Sequence, residues 1–139
     1  MKILVTGGLG FISSHFIRLL KDQTAITLDK LSWGANLRPM PECKFIRGDI
    51  TDARLMAKLC EDVDAVVNAA AESHVDRSIP HPIPFFESNV RGVVTILEGI
   101  KASKRPIRLV QISTDEVNGS IQNGSAKEAI KRLYEYPGI

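Results

Sequence analysis

Apolar positions follow two rhythms along these 139 residues. "KILVT", "AITLD", "DAVVNAAA" and "IRLVQIS" are short apolar stretches, and "CKFIRGD" supplies another between the second and third of them. Runs such as "KILVT" and "DAVVNAAA", apolar almost throughout, suit strands buried on both faces. Elsewhere the spacing is helical. Ile12, Phe16, Leu19 and Leu20 form one such pattern, and "DARLMAKLCE" reads as a short helix. The longest pattern places Phe86, Val90, Val93, Leu97 and Ile100 at steps of four and three, after the Pro-rich "SIPHPIPFF". "GANLRPMPE" reads as a loop. In the tail "SAKEAIKRLYEYPGI", Ser125 and Glu128 have capping-box spacing, Ala126, Ile130 and Leu133 share a face, and Pro-Gly is a stop.

Five strands alternating with helices predict an α/β fold: a Rossmann-like, doubly wound parallel sheet covered on both faces. Right-handed crossovers favour the strand order 3-2-1-4-5. The length is that of a single domain, so residues 1–139 are read as one unit.

Charge narrows the partners. Eighteen basic and 16 acidic residues leave a net charge of +2, too balanced for a nucleic-acid or membrane surface. No apolar run reaches the length of an export signal or a membrane span. Cys43 and Cys60 fit no metal-ligand spacing, and with no leader they point to a reducing cytoplasm. His15, His74 and His81 are not spaced for a metal either, so no metal site is expected.

The candidate chemistry begins after the first strand. In "TGGLGFISSH", Gly7, Gly10 and Ser13 stand at three-residue steps between a predicted strand and a predicted helix. Glycine lets the backbone turn tightly and approach a pyrophosphate, and the amides opening the helix then face the negative charge. Asp29 ends the second strand, where a carboxylate accepts hydrogen bonds from an adenosine ribose and repels a 2'-phosphate. NAD is therefore expected over NADP. Ser13 departs from the usual third glycine, and its side chain is expected to push helix and strand apart.

Together with "LDKLSWGANL", "GDITD", "AAESHVDRSI", "FFESNVRG" and "STDEVNG", this loop resembles the extended short-chain dehydrogenase/reductases, and among them the dTDP-glucose 4,6-dehydratases. The matching stretches run in the family's order from Thr6 to Gly119. The resemblance implies NAD as cofactor and a dTDP-sugar as substrate. It places Phe11 and Ile12 beside the pyrophosphate, Asp29, Lys30 and Ser32 around the adenosine ribose, and Asp49 and Ile50 at the adenine. Ala69, Ala70, Ala71 and Ser73 would line the way to the nicotinamide, and Ser88 would touch the cofactor from the long helix.

The resemblance also implies a dehydratase triplet. Thr114 would hold the sugar's C4 oxygen, Glu116 would remove the C5 proton, and Asp115 would protonate the departing C6 hydroxyl. A base and an acid with separated pKa values are what such a step requires. The family's Tyr-x-x-x-Lys pair does not occur: Tyr134 is followed at that spacing by Gly138, and Asn118 replaces the usual tyrosine after "STDEV". From about residue 120 the tail diverges.

The chain is thus read as the NAD-binding half of a dehydratase-like fold, truncated relative to the family, without a substrate domain and inactive alone. Self-association or a partner chain is expected to cover an exposed sheet edge. A dinucleotide-binding regulatory or interaction module, half of a split nucleotide-sugar enzyme and a nucleotide-sugar 4-epimerase are the competing readings.

Overall fold

The computed structural model describes residues 1–20, 24–32, 34–35 and 43–114. Five strands, Lys2–Thr6 (β1), Thr24–Asp29 (β2), Lys44–Arg47 (β3), Ala65–Asn68 (β4) and Arg108–Gln111 (β5), make one sheet. All neighbours are parallel and the order is β3-β2-β1-β4-β5, as the alternation of strands and helices predicts.

β1 explains why its sequence is apolar without a break. Successive side chains of a strand point to opposite faces. Leu4 belongs to one core, with Ile26, Leu28, Met56, Val66 and Ile96, while Ile3 and Val5 belong to another, with Ile17, Ala25 and Ala65. Helix α1 (Phe11–Leu19) covers the second core through Ile17 and Phe16. Helices α2 (Ala53–Cys60) and α5 (Gly92–Ala102) cover the first through Met56, Leu59, Cys60 and Ile96. Burial pushes the Cys60 thiol above its ordinary pKa, consistent with a packing role for this side chain. α2 starts at Asp52, whose carboxylate accepts from the amides of Arg54 and Leu55, each at 3.0 Å.

The long helical pattern differs from expectation. The second half of the Pro-rich stretch is itself helical: after a short α3 at Val75–Ser78, Pro82–Phe86 forms α4 with proline at its start, where the missing N–H does no harm. A π turn at Glu87–Arg91 then joins α4 to α5. The fully buried residues are Ser88, Gly92, Ile96 and Gly99; of the predicted series, only Val93 and Ile100 are partly buried, Ile100 against the first core. Phe86, Val90 and Leu97 are exposed; with Ile83 and Val94 they form an apolar row on the outer side. Glycines set the buried face: a Cβ built on Gly92 would collide with Ile50 Cδ1, and one on Gly99 would stand 3.2 Å from the Met56 backbone, so only the smallest residue lets the helix come this close to its neighbours. On α1, likewise, Ile12 and Leu19 are exposed, and the small residues Ser13 and Ser14 are buried beside Ile17.

No helix among the described residues is long and apolar enough to cross a membrane. The predicted tail helix lies outside the described residues.

Candidate functional site

The chain leaves β1 for β2 on one side and reaches β4 on the other, so the strand order reverses beside β1. A crevice at the carboxyl ends of strands is expected there. A cleft of about 850 Å³ opens at this place, within the size range of small-molecule and cofactor sites.

Its floor is the loop between β1 and α1. Gly7 turns the chain with φ of +67°, and its amide donates to Leu28 O at 2.8 Å. A Cβ built on Gly7 would stand 2.7 Å from both Cα and N of Ala70. Only glycine permits this conformation and this approach. The Gly10 amide donates back to Gly7 O at 2.9 Å, and Gly10 then opens α1 without a side-chain cap. The first intrahelical bond is Ser14 N to Gly10 O, so the amides of Phe11, Ile12 and Ser13 come before the ladder starts. These three residues line the cleft, and the first turn of α1 carries no acidic side chain. An anion is favoured at such a helix end.

Asp29 anchors the loop from β2. Its side chain is buried; Oδ2 accepts from the Leu9 amide at 2.9 Å and Oδ1 from the Leu31 amide at 2.8 Å. Leu31 has φ of 62°, uncommon for a residue with a side chain, and the Asp29 carboxylate holds it there. A carboxylate has about four acceptor sites, so two such bonds leave capacity for a ligand hydroxyl.

Lys30, next in sequence, lies 3.9 Å from Asp49 and 3.6 Å from Glu72, whose other oxygen is 3.6 Å from Arg77. This ion cluster joins the loops after β2, β3 and β4. Ser32, Asp49 and Ile50 complete that end of the cleft. Ala69, Ala70, Ala71 and Ser73 line it after β4, and Ser88 reaches it from the π turn.

At the other end a polar chain, buried at Thr6 and Asn68, ties three strands. Thr6 Oγ1 and the Ala70 amide donate to Asn68 Oδ1, Asn68 Nδ2 donates to Gln111 Oε1 at 2.7 Å, and Gln111 Nε2 donates to Ile112 O at 2.8 Å. Ile112 and Ser113 lead to Thr114 at the cleft wall. Asp115 and Glu116 lie outside the described residues. Every other candidate named from the sequence, from Gly7 to Thr114, lines this one cleft.

Among the lining residues not singled out from the sequence are Glu72, Asn89 and Gln111. Glu72 stands inside the quoted "AAESHVDRSI" and Asn89 inside "FFESNVRG", but their partners are distant in the chain, and no local pattern shows the pairing. No group of three or more metal-ligating side chains occurs among the described residues.

Ser13 is buried in the first turn of α1. It is 2% exposed, yet its hydroxyl has no hydrogen-bond partner. A buried orphan hydroxyl costs about 1–3 kcal/mol. Ser13→Ala is therefore expected to raise the unfolding temperature by roughly 3 °C, read by differential scanning calorimetry; a decrease would show that the hydroxyl is satisfied in solution.

A parallel sheet in this order, with a glycine turn and an acid at the next strand end, defines a dinucleotide-binding class of fold. Residues 3–137 match the family model described as the NAD dependent epimerase/dehydratase family, and the chain belongs to that family. It is 44% identical over 137 residues to the low-salt glycan biosynthesis protein Agl12 of Haloferax volcanii, covering 92% of this chain and 44% of that protein. It is 41% identical over 130 residues to a dTDP-glucose 4,6-dehydratase of Mycobacterium tuberculosis, covering 88% and 39%. DesIV, a dTDP-glucose 4,6-dehydratase of Streptomyces venezuelae solved as a double mutant with NAD and DAU bound, superposes with a TM-score of 0.83. The identity there is 42%, over 93% of this chain and 44% of that one. The chain thus spans about two fifths of the length of the relatives it matches.

Proposed function

We propose that this chain binds NAD in the cleft and forms the coenzyme-binding part of a nucleotide-sugar dehydratase acting on a dTDP-sugar. The observation that carries the reading is the Gly7–Ser13 loop, whose leading helix amides line the cleft while the Asp29 carboxylate braces it. Phe11 and Ile12 would receive the diphosphate on their amides. Asp29, Lys30 and Ser32 would take the adenosine ribose, and Asp49 and Ile50 the adenine. Ala69, Ala70, Ala71, Ser73 and Ser88 would border the remainder of the dinucleotide.

NAD supplies hydride transfer when bound. The chain's own contribution to the chemistry is proton transfer. Thr114 would hold the sugar's C4 oxygen, Glu116 would take the C5 proton, and Asp115 would give a proton to the leaving C6 hydroxyl. No Tyr-x-x-x-Lys pair is present in these 139 residues to remove the sugar hydroxyl's proton, so the chain by itself is proposed to bind without turnover. The outer apolar row Ile83, Phe86, Val90, Val94 and Leu97 is the surface on which self-association is proposed.

One sample tests these points. Calorimetric titration is expected to show NAD binding and NADP binding at least about tenfold weaker, because Asp29 opposes a 2'-phosphate. A dTDP-glucose assay is expected to show no turnover, and sedimentation a species larger than the monomer. Failure of both nucleotides to bind would remove the cofactor reading. Turnover by the lone chain, or a monomer at all concentrations, would overturn the corresponding part.

A further inference from the structure

The π turn at Glu87–Arg91 sits beside the cleft, and such turns inside a helical run frequently accompany functional sites. Within it, Asn89 lines the cleft and reaches a residue 17 positions earlier. Its Oδ1 accepts from the Glu72 amide at 2.8 Å, and its Nδ2 donates to the Glu72 carbonyl at 2.8 Å. A carboxamide carries a donor and an acceptor on one head, which is what grasping both backbone groups of one residue requires.

We infer that Asn89 is a positioning residue for the cofactor-facing loop after β4: aimed by the π turn, its carboxamide clamps the Glu72 backbone and holds Ala71 and Ser73 in the cleft wall. At its beginning the loop is held by Ala69 N to Thr6 O at 3.2 Å and Ala70 N to Asn68 Oδ1 at 3.3 Å. Asn89 secures the far end. The Glu72 carboxylate has holds of its own, 3.6 Å from each of Lys30 and Arg77. A straight α-helical path through residues 87–91 would turn the carboxamide away from Glu72. This gives the irregular turn a purpose and explains why Asn89, though exposed, has both ends of its head group engaged.

The assignment rests on the NAD reading and is tested so that the two can fail separately. Asn89→Ala removes both bonds, and its NAD dissociation constant is expected to rise about tenfold. AMP, which needs only the adenosine end, is expected to bind within about twofold of wild type. Asn89→Asp opposes a carboxylate to the Glu72 carbonyl and is expected to match the alanine loss at neutral pH. Near pH 4 a neutral carboxyl regains one donor and one acceptor. NAD affinity of Asn89→Asp, relative to wild type at the same pH, is then expected to recover severalfold, while Asn89→Ala does not. Unchanged NAD binding by Asn89→Ala overturns the assignment alone. So does a parallel loss of NAD and AMP binding with a lowered melting temperature, the mark of a merely structural residue. A wild-type chain that binds neither nucleotide overturns the NAD reading and this assignment with it.

Discussion

Gly7→Ala is expected to abolish measurable NAD binding, weakening it at least about 100-fold, and to destabilise the chain by about 3 kcal/mol. Two separate effects combine. The backbone at Gly7 has φ of +67°, which an L side chain adopts at a cost of about 1–2 kcal/mol. The added Cβ would also meet backbone atoms of Ala70 at 2.7 Å and Ala69 C at 2.9 Å. No rotamer change relieves a collision with main chain. Moving the β4 loop would break the bonds from Ala69 to Thr6 and from Ala70 to Asn68. Gly34 separates the two effects, since its φ is +90° but, among the described residues, nothing lies within 4 Å of a built Cβ. Gly34→Ala is expected to cost about 1 kcal/mol from the backbone alone. Urea unfolding and NAD calorimetry on both variants check the comparison. A Gly7→Ala chain with wild-type stability and affinity would mean that the tight approach to Ala70 does not exist.

Asp29→Asn is expected to weaken NAD about 10- to 100-fold, to narrow the preference over NADP about tenfold, and to lower stability. The carboxylate accepts from Leu9 N and Leu31 N on different oxygens. An asparagine must present its NH2 to one of those amides, donor against donor. Hydrogen bonds to charged groups contribute about 1.5–3 kcal/mol, and an amide left without an acceptor in a buried setting adds desolvation. If Leu31 is the one released, its left-handed backbone loses its restraint as well. Selectivity changes for another reason: the variant has no negative charge to oppose a 2'-phosphate, and Lys30 remains beside it. Parallel titrations with NAD and NADP measure this. Equal losses for the two nucleotides would show that Asp29 only braces the loop.

Much of the architecture was legible because it rests on local physics. Ile3, Leu4 and Val5 had to be apolar to serve two cores, and a parallel sheet with right-handed crossovers follows from such strands. The glycine turn and Asp29 were legible because their spacing is local and their chemistry narrow. The face of the long helix was not. Phe86, Val90 and Leu97 satisfy a regular period, but the closely packed face is set by Gly92 and Gly99, which apolar spacing does not reveal. The chain Thr6–Asn68–Gln111 was illegible because only the sheet order brings its residues together, and the clamp of Asn89 on Glu72 because the path of the β4–β5 crossover is not a local pattern. Ser13 shows the limit of a motif rule. A small polar side chain is buried at the third position, and its consequence is an unpaired hydroxyl.

A crystal structure of the chain grown with NAD addresses the central claim most directly. The account predicts the diphosphate within hydrogen-bonding distance of the Phe11 and Ile12 amides, with the adenosine ribose at the Asp29 carboxylate. A dinucleotide bound elsewhere, with the Gly7–Ser13 loop intact and its amides facing only water, would contradict it.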